Sequence, residues 1–238
     1  MKAMIFCAGL GTRFKPWTDH HPKALALVNG KSLLQRNVEY LQQYGIFDVV
    51  INVHHFPEQT ISAVYDNNAW GSRITISDER DEVLETGGGL LKARHLLNNS
   101  TDFITLNADI LTDLDLASFL RFHQQQNALV SLAISTRKSS RCFLFNEQKL
   151  LTGWRNMQTG QERISVPNAA AQPFAFSGIS IFSQRFFDAL NMSGKFSLVD
   201  AYLSLAATHR LAGFVHDAAQ WVDVGRTESV ALAEQLFP

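Results

Sequence analysis

The first 25 residues constrain this chain more than any other stretch. An apolar run, Ala3 to Ala8, breaks into Gly9-Leu10-Gly11-Thr12-Arg13, then Pro16, then Pro22-Lys23-Ala24-Leu25. The run reads as a buried strand, and the two glycines end it abruptly. Glycine lets backbone N–H groups turn outward and approach an anion with no Cβ in the way. Arg13, Lys15 and Lys23 add three cations, with Asp19 the one carboxylate among them. A strand, a glycine turn and cations make a place to hold phosphates.

Neither common phosphate motif fits. The P-loop pattern G-x-x-x-x-G-K-[ST] does not occur, and the dinucleotide fingerprint needs a third glycine where Phe14 stands. Pro16 also argues against a helix starting at once.

Downstream, strands alternate with helices. Ser32 to Tyr44 carries apolar residues at 33, 34, 38 and 41, a helical spacing that Gly45 ends. Strands are predicted at 48–53, 73–76, 102–106 and 128–134, with helices at 57–65, 88–97 and 114–126 between them. That order implies right-handed crossovers and a mostly parallel sheet. After about Thr136 the pattern changes to shorter strands at 142–145, 150–154 and 174–182, with a polar, loop-like stretch at 156–173. Helices at 184–190 and 197–207, a strand at 211–215 and a helix at 226–236 follow. In an open parallel sheet ligands bind at the carboxyl ends of strands. The loops after Cys7, Ile76 and Leu106 all fall on that edge.

At 238 residues, 46% apolar and 18% charged, the chain suits one α/β domain with a full core. A formal net charge of −1 gives no broad basic field for nucleic acid or an anionic membrane. Cys7 and Cys142 lack metal-ligand spacing and force no disulfide, which fits a reducing cytoplasm. The apolar start is too short for a signal peptide, and no window approaches 18 continuous apolar residues. His54-His55 has no acidic or Cys partner at ligand spacing and reads as structural. Trp17 and Trp70 read as core.

Four further segments carry polar chemistry. Leu84-Glu85-Thr86-Gly87-Gly88-Gly89 puts three glycines at a helix start, where the backbone either lies flat on a ligand or packs closely. Leu106-Asn107-Ala108-Asp109 follows a strand directly, and a carboxylate there suits Mg²⁺, which takes one or two carboxylates plus phosphate oxygens. Trp221-Val222-Asp223-Val224-Gly225 offers a second carboxylate, a cap or a second ligand. Asp113 and Asp115 read as the next helix N-terminus. Phe176-Ser177-Gly178 adds a hydroxyl and a glycine on a late strand.

Together these segments resemble the sugar nucleotidyltransferases: G-x-G-T-R-x-x-P-x-T…P-K over Gly9 to Lys23, L-E-T-G-G, an N-G-D-like element at Asn107 to Asp109, and W-x-D-x-G at Trp221 to Gly225. The resemblance covers nearly the whole chain. Among short members it is most similar to bacterial N-acetylmuramate-1-phosphate uridylyltransferases. It implies a Rossmann-like, glycosyltransferase-A-like α/β fold, a mostly parallel sheet flanked by helices with a small sugar-binding subdomain. It further implies one domain over 1–238, with a nucleotide half at 1–135 and a sugar half at 136–238. The implied reaction joins a nucleoside triphosphate and a sugar 1-phosphate into an NDP-sugar with loss of pyrophosphate, with Mg²⁺ as cofactor.

By the same resemblance Arg13 and Lys23 are catalytic. Ala8, Gly9, Gly11, Thr12, Arg13, Glu85, Thr86 and Gly87 bind the nucleotide. Asn107, Ser177 and Gly178 line the sugar site, and Asp109 and Asp223 hold the metal. UTP and N-acetylmuramate 1-phosphate, in peptidoglycan recycling in the cytoplasm, are the substrate pair it points to. GTP with mannose or heptose phosphate, CTP with phosphocholine, and a non-catalytic nucleotide-sugar sensor are the alternatives. Three positions depart from the family pattern: Ala108 replaces a glycine, Arg226 a threonine, and Trp154-Arg155 stands where a sugar-site glutamate is usual. Arg155 reads either as a ligand for a sugar anion or as an ordinary surface arginine.

Overall fold

The protein, a computed structural model, is described over residues 1–167 and 170–238. Its first half contains β1 (Lys2–Phe6), β2 (Leu27–Val28), β3 (Lys31–Ser32), α1 (Leu33–Gln42), β4 (Asp48–Val53), α2 (Pro57–Asp66) and β5 (Arg73–Asp78). Next come α3 (Glu85–Lys92), α4 (Arg94–Leu97), β6 (Asp102–Asn107), β7 (Ile110–Thr112), α5 (Leu116–Gln126) and β8 (Val130–Ser135). The remainder holds β9 (Arg141–Phe145), β10 (Leu151–Asn156), β11 (Glu162–Ile164) and the long β12 (Gln172–Ser183). It closes with α6 (Phe186–Ala189), α7 (Leu198–Leu205), β13 (Leu211–Val215), β14 (Trp221–Asp223) and α8 (Ser229–Leu236).

The central sheet runs parallel through β6, β1, β4 and β5, with β13 parallel to β8. Between those two parallel sets lies β12, antiparallel to both β6 and β8. Two reversals restore direction, so β8 runs parallel to β6. The carboxyl ends of β1, β4, β5, β6 and β8 therefore share one edge. The start of β12, Gln172 to Phe174, pairs with β9, and the same sheet continues into β10 and β11.

Side chains alternate across β1, so Met4 packs into the core beneath α3 and α7 while Ala3 and Ile5 pack toward α1 and α5. Helix ends follow ordinary capping chemistry: the Ser32 hydroxyl accepts from the Gln35 amide, and Asp115 accepts from the amides of Ala117 and Ser118. Asp115 is thus the expected cap, whereas Asp113 accepts from the amide of Gln220.

Four elements differ from the periodicity. The α3 helix begins at Glu85, before the glycines, and breaks at Ala93. The stretch 156–173 includes the short exposed strand β11. Asn29 and Gly30, both at positive φ, turn β2 into β3, an Asn-Gly hairpin signal unread in the sequence. The two-stranded ribbon of β7 and β14 was also not foreseen, because three-residue strands carry too little pattern.

Candidate active site

The turn after β1 opens a cavity of about 310 Å³ lined by Gly9, Gly11, Thr12, Arg13, Lys23, Asn107, Asp109 and Gly225 among others. Gly11 takes φ 60°, and a Cβ there would meet the Thr18 methyl at 2.8 Å and Lys23 Cβ at 3.1 Å. The position needs glycine for both reasons. The Thr18 hydroxyl donates to the Gly11 carbonyl at 2.9 Å, and the Thr18 carbonyl in turn takes the His55 ring nitrogen at 2.9 Å. His55 and His54, which meets the Glu79 carbonyl, are therefore spent on backbone. Lys15 turns away to pair with Asp19 at the surface.

Arg13 and Lys23 remain on the cavity wall. The Lys23 ammonium rests on Asp109. The β7–β14 ribbon sets Asp223 opposite Ile110, and the Val224 amide donates to the Asp109 carbonyl at 2.8 Å. A Cβ on Gly225 would lie 2.5 Å from Asp223 Oδ1 and 3.1 Å from Arg13 Nη2, so the guanidinium lies close against that turn. Asp223 Oδ1 is buried with no hydrogen-bond partner. Burial first, and the Asp109 charge second, hold the Asp223 carboxyl above its ordinary range. A buried, orphaned carboxylate oxygen beside a second carboxylate fits a divalent cation. Among the described residues no three His, Cys, Asp or Glu side chains gather at ligand spacing. Asp109 and Asp223 are two carboxylates, a number that fits Mg²⁺ completed by phosphate and water.

The other end of the cavity is built by residues the sequence did not reveal. Asn52, 2% exposed, accepts the amides of Cys7 (2.8 Å) and Ala8 (3.3 Å) on its Oδ1 and donates to Glu79 Oε1 at 2.8 Å. The amide thus ties the start of the phosphate turn to the end of β5. Glu79 is 1% exposed, and burial raises its carboxyl above the usual range, opposed in part by the Asn52 bond. A single polar residue in the apolar run of β4 was the signal for Asn52. Cys7 lies beneath the turn, its thiol pushed up chiefly by burial.

Glu85 and Thr86 line the cavity, Glu85 at φ 59°, a left-handed conformation that costs a non-glycine residue about 1–2 kcal/mol. Gly87 does not line it. Its amide and that of Gly88 donate to the Phe196 carbonyl, and a Cβ at Gly87 would meet the Phe196 ring at 2.4 Å. At Gly88 a Cβ would meet the Gly194 carbonyl oxygen at 2.3 Å. These glycines let the 194–198 segment dock on α3.

Of the residues expected at the sugar, Asn107 lines the cavity and Gly178 (φ 80°) lies against Asn107, 3.1 Å from its Nδ2 to an ideal Cβ. Ser177 is turned inward. It is fully buried, its hydroxyl 2.7 Å from His216 Nε2, its carbonyl taking the Trp221 Nε1–H at 2.9 Å. Arg155 pairs with Glu162 at 2.6 Å and is held at the surface. Ala108 is buried and lines the cavity, and its carbonyl accepts from Asn37 Nδ2 at 3.0 Å.

With that geometry in place, the chain is matched over residues 2–237 by the family model described as nucleotidyl transferase. It is 30% identical to an N-acetylmuramate alpha-1-phosphate uridylyltransferase of Neisseria meningitidis serogroup B, over 94% of this chain and 93% of that protein. A protein of the same name from Caulobacter vibrioides is 29% identical over 98% and 95%. The fold is shared with HddC from Yersinia pseudotuberculosis, solved in complex with GMP-PN: TM-score 0.81 at 22% identity, covering 100% of this chain and 99% of that one.

Proposed function

The chain belongs to the nucleotidyl transferase family and is a sugar-1-phosphate nucleotidyltransferase, and from that premise we propose that it joins UTP to N-acetylmuramate 1-phosphate with release of pyrophosphate. The two relatives of that name, matched over nearly the full length of both chains, support the substrate pair. The observation that carries the chemistry is the cavity wall, where Arg13, Lys23 and Asp109 stand together, with the buried, unpartnered Oδ1 of Asp223 beside Gly225.

A sugar phosphate is already anionic at pH 7, so no general base is required. What the site must do is align that oxygen with the α-phosphorus and neutralise the leaving pyrophosphate. Arg13, unpaired among the described residues, binds the triphosphate beside the open amides around Gly9. Lys23 neutralises phosphate charge during transfer. Asp109 and Asp223 would hold Mg²⁺, which when bound supplies further charge neutralisation to the phosphates. Glu85 and Thr86 lie at the base, and Asn107 and Gly178 at the sugar. We place the nucleotide in the half 1–135 and the sugar in 136–238, and the reaction in cytoplasmic peptidoglycan recycling; among the described residues no helix is long and apolar enough to cross a membrane.

The test is pyrophosphate release with Mg²⁺ across UTP, GTP, CTP, ATP and dTTP against a panel of sugar 1-phosphates. The expected maximum is UTP with N-acetylmuramate 1-phosphate. A maximum at GTP with mannose or heptose phosphate, or at CTP with phosphocholine, overturns the pair.

A further inference from the structure

Arg137 follows β8 at its carboxyl end, on the sheet edge that carries the phosphate turn. Its guanidinium carbon lies 3.7 Å from the centroid of the Trp221 ring. That ring is itself pinned by its Nε1–H on the Ser177 carbonyl at 2.9 Å. Arg137 Nη2 donates to the Phe176 carbonyl at 2.5 Å, while its Nε is buried without any partner.

No carboxylate stands within ion-pair distance of Arg137 among the described residues, whereas Arg73, Arg80, Arg94, Arg155 and Arg163 each have at least one. Burial works against its charge, and Asp223 is the foremost group working in its favour. A half-buried cation without a counter-ion is costly. The Trp221 face and the Phe176 carbonyl hold the planar fork fixed, and a fixed fork matches carboxylate or phosphate oxygens in pairs. Phe176 and Ser177 lead into Gly178, where an ideal Cβ would lie 3.1 Å from Nδ2 of Asn107 on the cavity wall, and Trp221 stands two residues before Asp223 on β14.

We propose that Arg137, held against Trp221, is the anion anchor of the sugar subsite and takes a carboxylate or phosphate oxygen of the sugar 1-phosphate. The assignment rests on the nucleotidyl-transfer reading above and names a residue outside the family motifs.

The experiment compares wild type, Arg137→Gln and Arg137→Lys in pyrophosphate release at saturating UTP. The acceptors are N-acetylmuramate 1-phosphate, N-acetylglucosamine 1-phosphate, which lacks the lactyl carboxylate, and whichever sugar 1-phosphate wild type uses best. Losing a charged hydrogen-bond partner should raise the acceptor KM about 10- to 100-fold in Arg137→Gln. The UTP KM should stay unchanged, and Arg137→Lys should recover part of the loss. A rise confined to N-acetylmuramate 1-phosphate assigns the carboxylate, and an equal rise on both acceptors assigns the phosphate. An unchanged acceptor KM, or a UTP KM that rises in step with it, overturns the anchor. Failure of wild type to use N-acetylmuramate 1-phosphate overturns the substrate pair alone, because the best acceptor still judges Arg137.

Discussion

The ammonium of Lys23 rests on a carboxylate oxygen of Asp109, joining the end of the phosphate loop to the end of β6. Both side chains are largely shielded, at 12% and 25% exposure, so the pair is only partly screened by water. A divalent cation held by Asp109 would compete with Lys23 for the same carboxylate, and Lys23 would then be free to neutralise phosphate charge.

Lys23→Met should remove charge that the transition state needs. The expected loss is about 10²–10³ in kcat, the scale of deleting one preorganised charge partner. The melting temperature should also fall, because Asp109 is left shielded without its partner. Pyrophosphate release under single-turnover conditions reads it, and a rate within threefold of wild type would remove Lys23 from the chemistry.

Asp223 gives a pH prediction with a definite sign. Its folded pKa lies above the ordinary 3.8 through burial and then the Asp109 charge. Between those two values the folded state binds more protons than the unfolded chain, so this group's contribution to stability falls as pH rises through that window. Above the folded value the penalty is present in full. Asp223→Asn should melt higher than wild type at pH 7, by roughly 2–4 °C for each kcal/mol relieved in a chain of this size. The gain should fade as pH drops below the ordinary carboxylate range, while turnover is lost at every pH. Thermal melts at pH 4 and 7 decide it, and a lower melting point at pH 7 would sink the argument.

The parts of this site legible in sequence are those whose chemistry lies in consecutive residues. Gly9 to Arg13 could be read because strand, turn and cation follow one another, and Asp109 because it stands at a strand end. Asn52 and Glu79 join only where the carboxyl ends of β4 and β5 converge, 27 residues apart in the chain. Arg137 gains its meaning from Trp221, brought to it by tertiary packing. The glycines of α3 were visible, but which neighbour they admit was not, since the 194–198 segment arrives from the far half of the chain.

Gly88→Ala tests that last point. The new methyl would sit 2.3 Å from the Gly194 carbonyl oxygen, a backbone atom that moves only with its segment. Overpacking of this kind costs about 1–3 kcal/mol. The variant should melt lower, and the UTP KM should rise, because Glu85 and Thr86 begin the same helix. Calorimetry with steady-state kinetics reads both. A variant with unchanged melting and a raised UTP KM would instead return these glycines to direct nucleotide contact.

Ser177 separates a buried bond from a substrate contact. The β12 register against β8 shifts between Phe176 and Ser180, and Gly178 sits at φ 80°, so alternation cannot say which face Ser177 takes. In the fold its hydroxyl meets His216 Nε2 at 2.7 Å, and His216 Nδ1 is already buried without a partner. Burial chiefly holds this imidazole below its usual range, leaving it neutral at pH 7. Ser177→Ala strands the second ring nitrogen as well, at a cost of about 1–3 kcal/mol. The melting temperature should fall by several degrees while the KM values for UTP and the sugar 1-phosphate stay within twofold. Asn107→Ala, on the cavity wall, should do the reverse, raising the sugar 1-phosphate KM with little change in melting. If Ser177→Ala behaved like Asn107→Ala, the hydroxyl would belong to the sugar after all, and β12 would have to turn about Gly178 when substrate binds.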